Sequence, residues 1–184
     1  MARTAKVTSE DSIQENLNTW CFEVGTEYEE YSRQSVARFI KYIGKETVID
    51  LGAGDGAATN HFAKNGNKVI AVDINPHKLS EIKTAWHIVK QDFVTYLSKP
   101  IQHHIFMHHA LEHCIDYDTV LELIGKNLAK GKYCYIAVPK DDTPHSVHHV
   151  AFDNAEELVP PNLEVIELIA HNQPQKEYIA ITRK

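Results

Sequence analysis

The chain has no apolar run long enough to span a bilayer, and its start, Met1 to Asp11, is too polar for a signal peptide. Cysteine is sparse. Cys21, Cys114 and Cys134 are odd in number, widely spaced and free of any CxxC pair, so reduced thiols in a cytoplasmic protein are expected rather than a disulfide frame. An excess of basic charge is missing as well. The formal net charge of −6 disfavours a nucleic-acid scaffold, which would carry a basic face, but leaves room for a nucleic-acid substrate met by a local patch. No internal repeat, low-complexity segment or interdomain linker interrupts the 184 residues, so one domain with one sizeable core is expected. The hydrophobic and charged fractions, 43% and 24%, are those of an ordinary globular protein, so disorder is not the expectation. Nothing here specifies an oligomeric state. What the sequence has in quantity is histidine, 12 residues in all and several of them clustered.

Helical patterning appears at Ser9–Trp20 and at Thr26–Ile43, where Val36, Phe39, Ile40 and Ile43 recur on one face and Gly44 follows as a stop. Strands and helices then alternate: strand Thr47–Leu51, helix Gly56–Asn65, strand Lys68–Asp73, helix Pro76–Ala85, strand His87–Gln91. Strand His104–His109, a helix running to Leu128 and strand Lys132–Val138 continue the alternation. A short helix opens at Asp153–Leu158, and Pro160-Pro161 ends it. Strands Glu164–Ala170 and Tyr178–Thr182 are joined by a link too short for a parallel crossover, so they are antiparallel neighbours. The expected fold is α/β, a doubly wound sheet of five parallel strands with helices on both faces, finished by an antiparallel hairpin.

Val48-Ile49-Asp50-Leu51-Gly52-Ala53-Gly54-Asp55-Gly56 carries the most chemistry. A buried parallel strand ends in an acid, and alternate glycines let the chain turn tightly and a ligand approach the main chain. Gly52 to Ala57 fits the dinucleotide pattern GxGxxG/A, with Asp73 as the later acid; it fits equally an acid-x-Gly-x-Gly-x-Gly cradle. Asp50 and Asp55 would meet a pyrophosphate badly, whereas a ligand bearing an ammonium and a sulfonium gains from them. A long helical segment before the first strand, and the absence of a further substrate domain after the hairpin, also disfavour a dinucleotide.

These residues resemble the class I S-adenosylmethionine-dependent methyltransferases, the type 11-like group in particular. The likeness extends to Val69–Ile74, to Val89–Phe93, to Ile105–His113 with its Leu111-Glu112-His113, and to Leu128–Pro139. Departures are His103 or His104 in place of an acid opening the fourth strand, and Gly131-Lys132 in place of a glycine pair. The resemblance implies a Rossmann-like sheet in the order 3-2-1-4-5-7-6, with residues 1–46 as helices over the cofactor site and residues 47–184 as the core. It implies that Asp50, Gly52, Ala53, Gly54 and Gly56 hold the amino-acid end of S-adenosylmethionine. Asp73 and Ile74 would take the ribose, and Gln91, Asp92 and Phe93 the adenine, with His108 or His109 near the methyl group. Asp73 and Asp92 have a plainer role open to them as helix caps. Trp20, Tyr28 and Tyr31 could cover the cofactor or simply pack.

His109-Ala110-Leu111-Glu112-His113 also spells HxxEH, the pattern of inverted zinc peptidases, which needs both histidines on one helix. His109 at a strand end argues against that. Three metal-capable residues within five positions still lie on the rim where parallel sheets hold ligands, and His145, His148 and His149 follow the next strand onto the same rim. Some relatives hold a divalent ion with an ExxEH segment and a later loop histidine, which implies His109, Glu112, His113 and His149 as ligands. So nitrogen-rich a set prefers zinc, iron, cobalt or manganese to magnesium. Without metal, His109, His148 or His149 can act as general base. The expected activity is methyl transfer to an oxygen or nitrogen of a small-molecule acceptor. The alternatives are a metal-assisted O-methyltransferase and a non-catalytic S-adenosylmethionine-binding partner subunit. Without a long insertion after the fourth or fifth strand, the acceptor site is shallow or completed by a partner.

Overall fold

The structure, a computed structural model, describes residues 3–4, 26–75, 79, 82–140, 148–172 and 176–184. Seven strands form one sheet: β1 (Val48–Leu51), β2 (Val69–Asp73), β3 (His87–Lys90), β4 (His104–His108), β5 (Tyr133–Pro139), β6 (Glu164–His171) and β7 (Glu177–Arg183). Their spatial order is β3-β2-β1-β4-β5-β7-β6. The first five are parallel, and β7 pairs antiparallel with both β5 and β6. The expected architecture and strand order are therefore present. A separate two-residue ladder pairs Arg3–Thr4 with Val150–Ala151.

Both faces of the parallel part are covered, so its inner strands are buried on both sides. On one face lies α1 (Thr26–Ile43), whose Val36, Phe39 and Ile43 pack with Phe62 of α2 (Ala57–Asn65) on Val48, Phe106 and Tyr135. On the other lie α3 (Phe93–Leu97) and α4 (Tyr117–Asn127), with Tyr117, Val120, Leu121 and Ile124 packing on Ile49, Ile105, Met107 and Ile136. Strand alternation follows from this division. Asp50, Phe106, His108, Ala137 and Glu177 share the α1/α2 face with Val48, Tyr135 and Ile179 by their even spacing along each strand. No helix among the described residues is long and apolar enough to cross a membrane.

Two expectations are modified. The helix expected at Pro76–Ala85 lies partly outside the described residues, and residues 82–85 are not helical. Ile82 donates its N–H to Leu79 O, and both side chains are held in a small core with Ala53 and Ala71. Asp153–Leu158 narrows to a 3-10 turn, Ala155–Leu158, capped by Asn154. The helix expected at Ser9–Trp20, and His145, lie outside the described residues.

Candidate functional site

The glycine loop leaves the buried end of β1 and runs into α2. Gly52, Gly54 and Gly56 all have positive φ (85°, 53° and 89°), which side chains disfavour. Their surroundings differ. A Cβ at Gly52 would overlap that of Ala110, the second residue beyond β4, and one at Gly56 would come within 2.7 Å of Ile82. Gly54 faces open space, so at the loop's apex the main chain itself is presented. Asp50 lies beneath, buried on the α1/α2 face, and accepts a 2.6 Å hydrogen bond from the Thr59 hydroxyl. Burial pushes its carboxyl up to about 7, against the pull of Thr59, and the nearby Asp73 and Asp55 push the same way.

Asp73, at the end of β2, grips the loop. Its two oxygens accept from the amides of Gly54 (2.9 Å) and Asn75 (2.8 Å). Each carboxylate oxygen keeps a further lone pair for another donor. Ile74 follows at the bend, and Gln91 N–H donates to Asp73 O, which brings the ends of β2 and β3 together. Asp92 caps α3 by accepting from Thr95 N–H at 2.9 Å. Burial raises its pKa, but the hydrogen bonds to Thr95 outweigh that and hold it low. Phe93 leans toward Gly52.

Beyond β4 the rim histidines divide into two groups, each with its ligand atoms within 4.8 Å of one another: His108, His109 and Glu177, and Glu112, His113 and His148. The four ligands expected from sequence thus do not gather in one group. His109 turns to His108 and Glu177, His148 joins Glu112 and His113, and the buried His149 is in neither group. His109 has φ of 52°, and Leu111–His113 is a single 3-10 turn, so the HxxEH segment is not the helix a peptidase requires. His113 and His148 meet edge to face at 5.2 Å, and Glu112 is buried 4.0 Å from His113. Burial and neighbouring His109 lower His108 to about 4, although Glu177 opposes them. The two imidazoles hold Glu177 down at about 2 despite its burial. At the opposite end of β4, His104 faces Glu46 (3.1 Å) and accepts from Tyr133 N–H (3.0 Å), a structural anchor outside the rim. Trp20 and the Tyr28 side chain lie outside the described residues, and Tyr31 is half-buried on α1.

Glu177 is the residue that sequence reasoning missed. Its only signal is an acid opening an otherwise apolar strand.

The methyltransferase domain family matches residues 27–173. The chain belongs to that family. Its fold is that of solved S-adenosylmethionine-dependent methyltransferases. It is 18% identical to 1,6-didemethyltoxoflavin-N1-methyltransferase from Burkholderia thailandensis, solved with 1,6-didemethyltoxoflavin and S-adenosylhomocysteine. That match covers 100% of this chain and 94% of the other, with a TM-score of 0.73. It is 17% identical to the N-methyltransferase NodS from Bradyrhizobium japonicum WM9 (87% and 98% covered, TM-score 0.69). It is 12% identical to magnesium protoporphyrin IX methyltransferase from Synechocystis PCC 6803, solved with S-adenosylmethionine (96% and 91% covered, TM-score 0.66). No curated protein sequence matches the chain.

S-adenosylmethionine, the methyl donor of this class, supplies a sulfonium methyl group already activated for transfer. The residues of this methyltransferase fit such a ligand. Gly54 opens the main chain at the loop apex, and the acids Asp50, Asp73 and Asp92 ring the C-terminal ends of β1, β2 and β3. Carboxylates suit a ligand with a cationic ammonium, a cationic sulfonium and ribose hydroxyl donors.

Proposed function

We propose that this methyltransferase transfers the methyl group to an oxygen or nitrogen of a small-molecule acceptor seated over the rim histidines. The observation that carries the reading is the pair of imidazole–carboxylate groups gathered around the end of β4, which adjoins the glycine loop where Gly52 nests under Ala110. On this reading Asp50, Gly52, Ala53, Gly54 and Gly56 hold the amino-acid end of the donor. Asp73 and Ile74 hold the ribose, and Gln91, Asp92 and Phe93 hold the adenine. The protein's task is then alignment of the acceptor lone pair opposite the leaving sulfur. On this reading His109, His148 or His149 takes the acceptor proton, and imidazole suits that proton near neutral pH. Two of the structural neighbours are named as N-methyltransferases, which supports nitrogen among the acceptors. Within residues 1–46, α1 packs on the sheet as part of the core with residues 47–184, and residues 5–25 lie outside the described residues.

A second reading rests on Glu112, His113 and His148. One buried carboxylate and two imidazoles within 4.8 Å can hold a divalent ion against an acceptor hydroxyl, making the transfer metal-assisted O-methylation.

Calorimetry with S-adenosylmethionine and S-adenosylhomocysteine, followed by product detection across small alcohols, phenols and amines, tests the main reading. Donor binding with product from at least one acceptor class is expected. Binding without turnover for any acceptor would favour a partner-subunit role. Chelator-sensitive turnover abolished by His113→Ala is the expected sign of the second reading, and turnover indifferent to both would end it.

A further inference from the structure

The group formed by His108, His109 and Glu177 is built from parts that regular geometry would keep apart. Successive residues of a strand point to opposite faces, so His108 and His109 should diverge. They do not. The left-handed backbone at His109 (φ 52°) swings its ring back beside that of His108, and the two stack at 4.4 Å and 13°. A residue other than glycine held there costs about 1 kcal/mol or more, so the surrounding structure must impose it. The His109 N–H bonded to Ala137 O at 2.9 Å fixes the turn.

The third member arrives from another strand. His108 pairs with Ala137 on β5, and Pro139 two residues on pairs with Glu177 at the opening of β7. His108 and Glu177 therefore flank β5 on the same face of the sheet. Between them the sheet carries only the small Ala137, so a long glutamate can reach across. Glu177 is 5% exposed, and its Oε2 makes no hydrogen bond. That oxygen lies 3.7 Å from His108 Nε2 and 3.4 Å from His109 Nε2.

Those separations discriminate between two arrangements. A charge-assisted N–H···O bond closes to about 2.7–2.9 Å, and neither contact does so. Three donors around a tetrahedral zinc, each about 2.0–2.2 Å from the ion, stand about 3.4 Å apart. The two N–O separations match those of an ion's ligands better than those of a bonded pair. The stacked rings hold their lone pairs side by side, so capture of an ion turns one imidazole out of the stack toward the other nitrogen and the carboxylate oxygen. Two imidazole nitrogens with one carboxylate oxygen select zinc or a similar borderline divalent ion over magnesium or calcium, which prefer all-oxygen sets.

We infer that His108 Nε2, His109 Nε2 and Glu177 Oε2 form a zinc-class metal site that clamps the start of β7 to the end of β4 across β5. The described residues supply three ligands, and a fourth ligand completes the tetrahedron. The site is separate from Glu112, His113 and His148, and it does not depend on the identity of the methyl acceptor.

The full-length chain, stripped with chelator and titrated with Co(II) and Zn(II), tests this. One equivalent of Co(II) should give the intense visible absorption of a tetrahedral site, and Zn(II) should displace it. Glu177→Gln and His109→Ala should each weaken Co(II) binding at least tenfold, whereas His113→Ala should leave that spectrum in place. Circular dichroism on each variant separates ligand loss from unfolding, with Glu177→Asp as a variant that keeps the carboxylate. No tetrahedral Co(II) signal in the wild type, or a signal lost in His113→Ala and kept in Glu177→Gln, would overturn the proposal and leave an imidazole–carboxylate ion pair. Donor binding and methyl transfer are read separately: a metal on His109 leaves the acceptor proton to His148 or His149, and failure of the site returns His109 to that role without touching the donor reading.

Discussion

Replacing Asp50 by asparagine and following urea unfolding from pH 5 to pH 8 probes the base of the donor loop directly. The Asp50 carboxyl is fully buried, and the fold raises its pKa from 3.8 to about 7. Folded protein therefore holds this proton more tightly than unfolded chain. The associated stability is complete below about pH 4, erodes as pH rises, and is gone above the folded value near 7. Between pH 5 and pH 8 this one group should cost the wild type roughly 2–3 kcal/mol relative to a variant that cannot ionise. Asparagine keeps an oxygen for the Thr59 hydroxyl and removes the charge that burial and the neighbouring Asp73 and Asp55 disfavour. Subtracting the variant's pH profile from the wild type's cancels the histidines and the surface acids. A difference that grows with pH by roughly that amount is expected. A flat difference would mean that Asp50 stays ionised in the fold, and the burial argument would be wrong.

Asp73→Ala removes the acceptor for the amides of Gly54 and Asn75 as well as the ribose partner. Stability should fall by about 1–3 kcal/mol and donor affinity by more than tenfold, read by thermal melting and calorimetry. Asp92 separates two roles: Asp92→Ser should keep the cap on α3 and hence the melting temperature, while Asp92→Ala should cost about 1 kcal/mol. If the free oxygen of Asp92 holds the adenine amino group, both variants weaken donor binding, and unchanged affinity in both would remove that role. Gly125 lies inside α4 where any Cβ would strike the Pro161 carbonyl oxygen. Gly125→Ala, a favourable change in most helices, should here destabilise by about 1–3 kcal/mol, and a raised melting temperature would contradict the packing.

Much of this was legible because its signals are local. Apolar runs ending in Leu51, Asp73 and Pro139 marked strands, and the short link before β7 fixed the hairpin. Asp50, Gly52, Gly54 and Gly56 announced a cradle by spacing alone. The acceptor side was less legible because it is assembled across strands. Glu177 reaches His108 only through the antiparallel register of β5 and β7, which no spacing encodes. The companionship of His108 and His109 contradicts strand alternation and depends on one left-handed residue. Nor does spacing say that His148 rather than its neighbour His149 joins Glu112 and His113.

The nesting of Gly52 under Ala110 has a mechanical consequence. The donor cradle hangs from β1 and the histidine rim from β4, two strands paired directly to each other. Where they touch, a glycine on one side and a single methyl group on the other leave no rotatable side chain between the two strands, with Phe93 alongside rather than between them. On the proposed reading, the gap that the transferred carbon must cross is gauged by main chain rather than by rotamers. Residues farther out on the rim can then be exchanged to suit another acceptor without retuning the distance over which the methyl group travels.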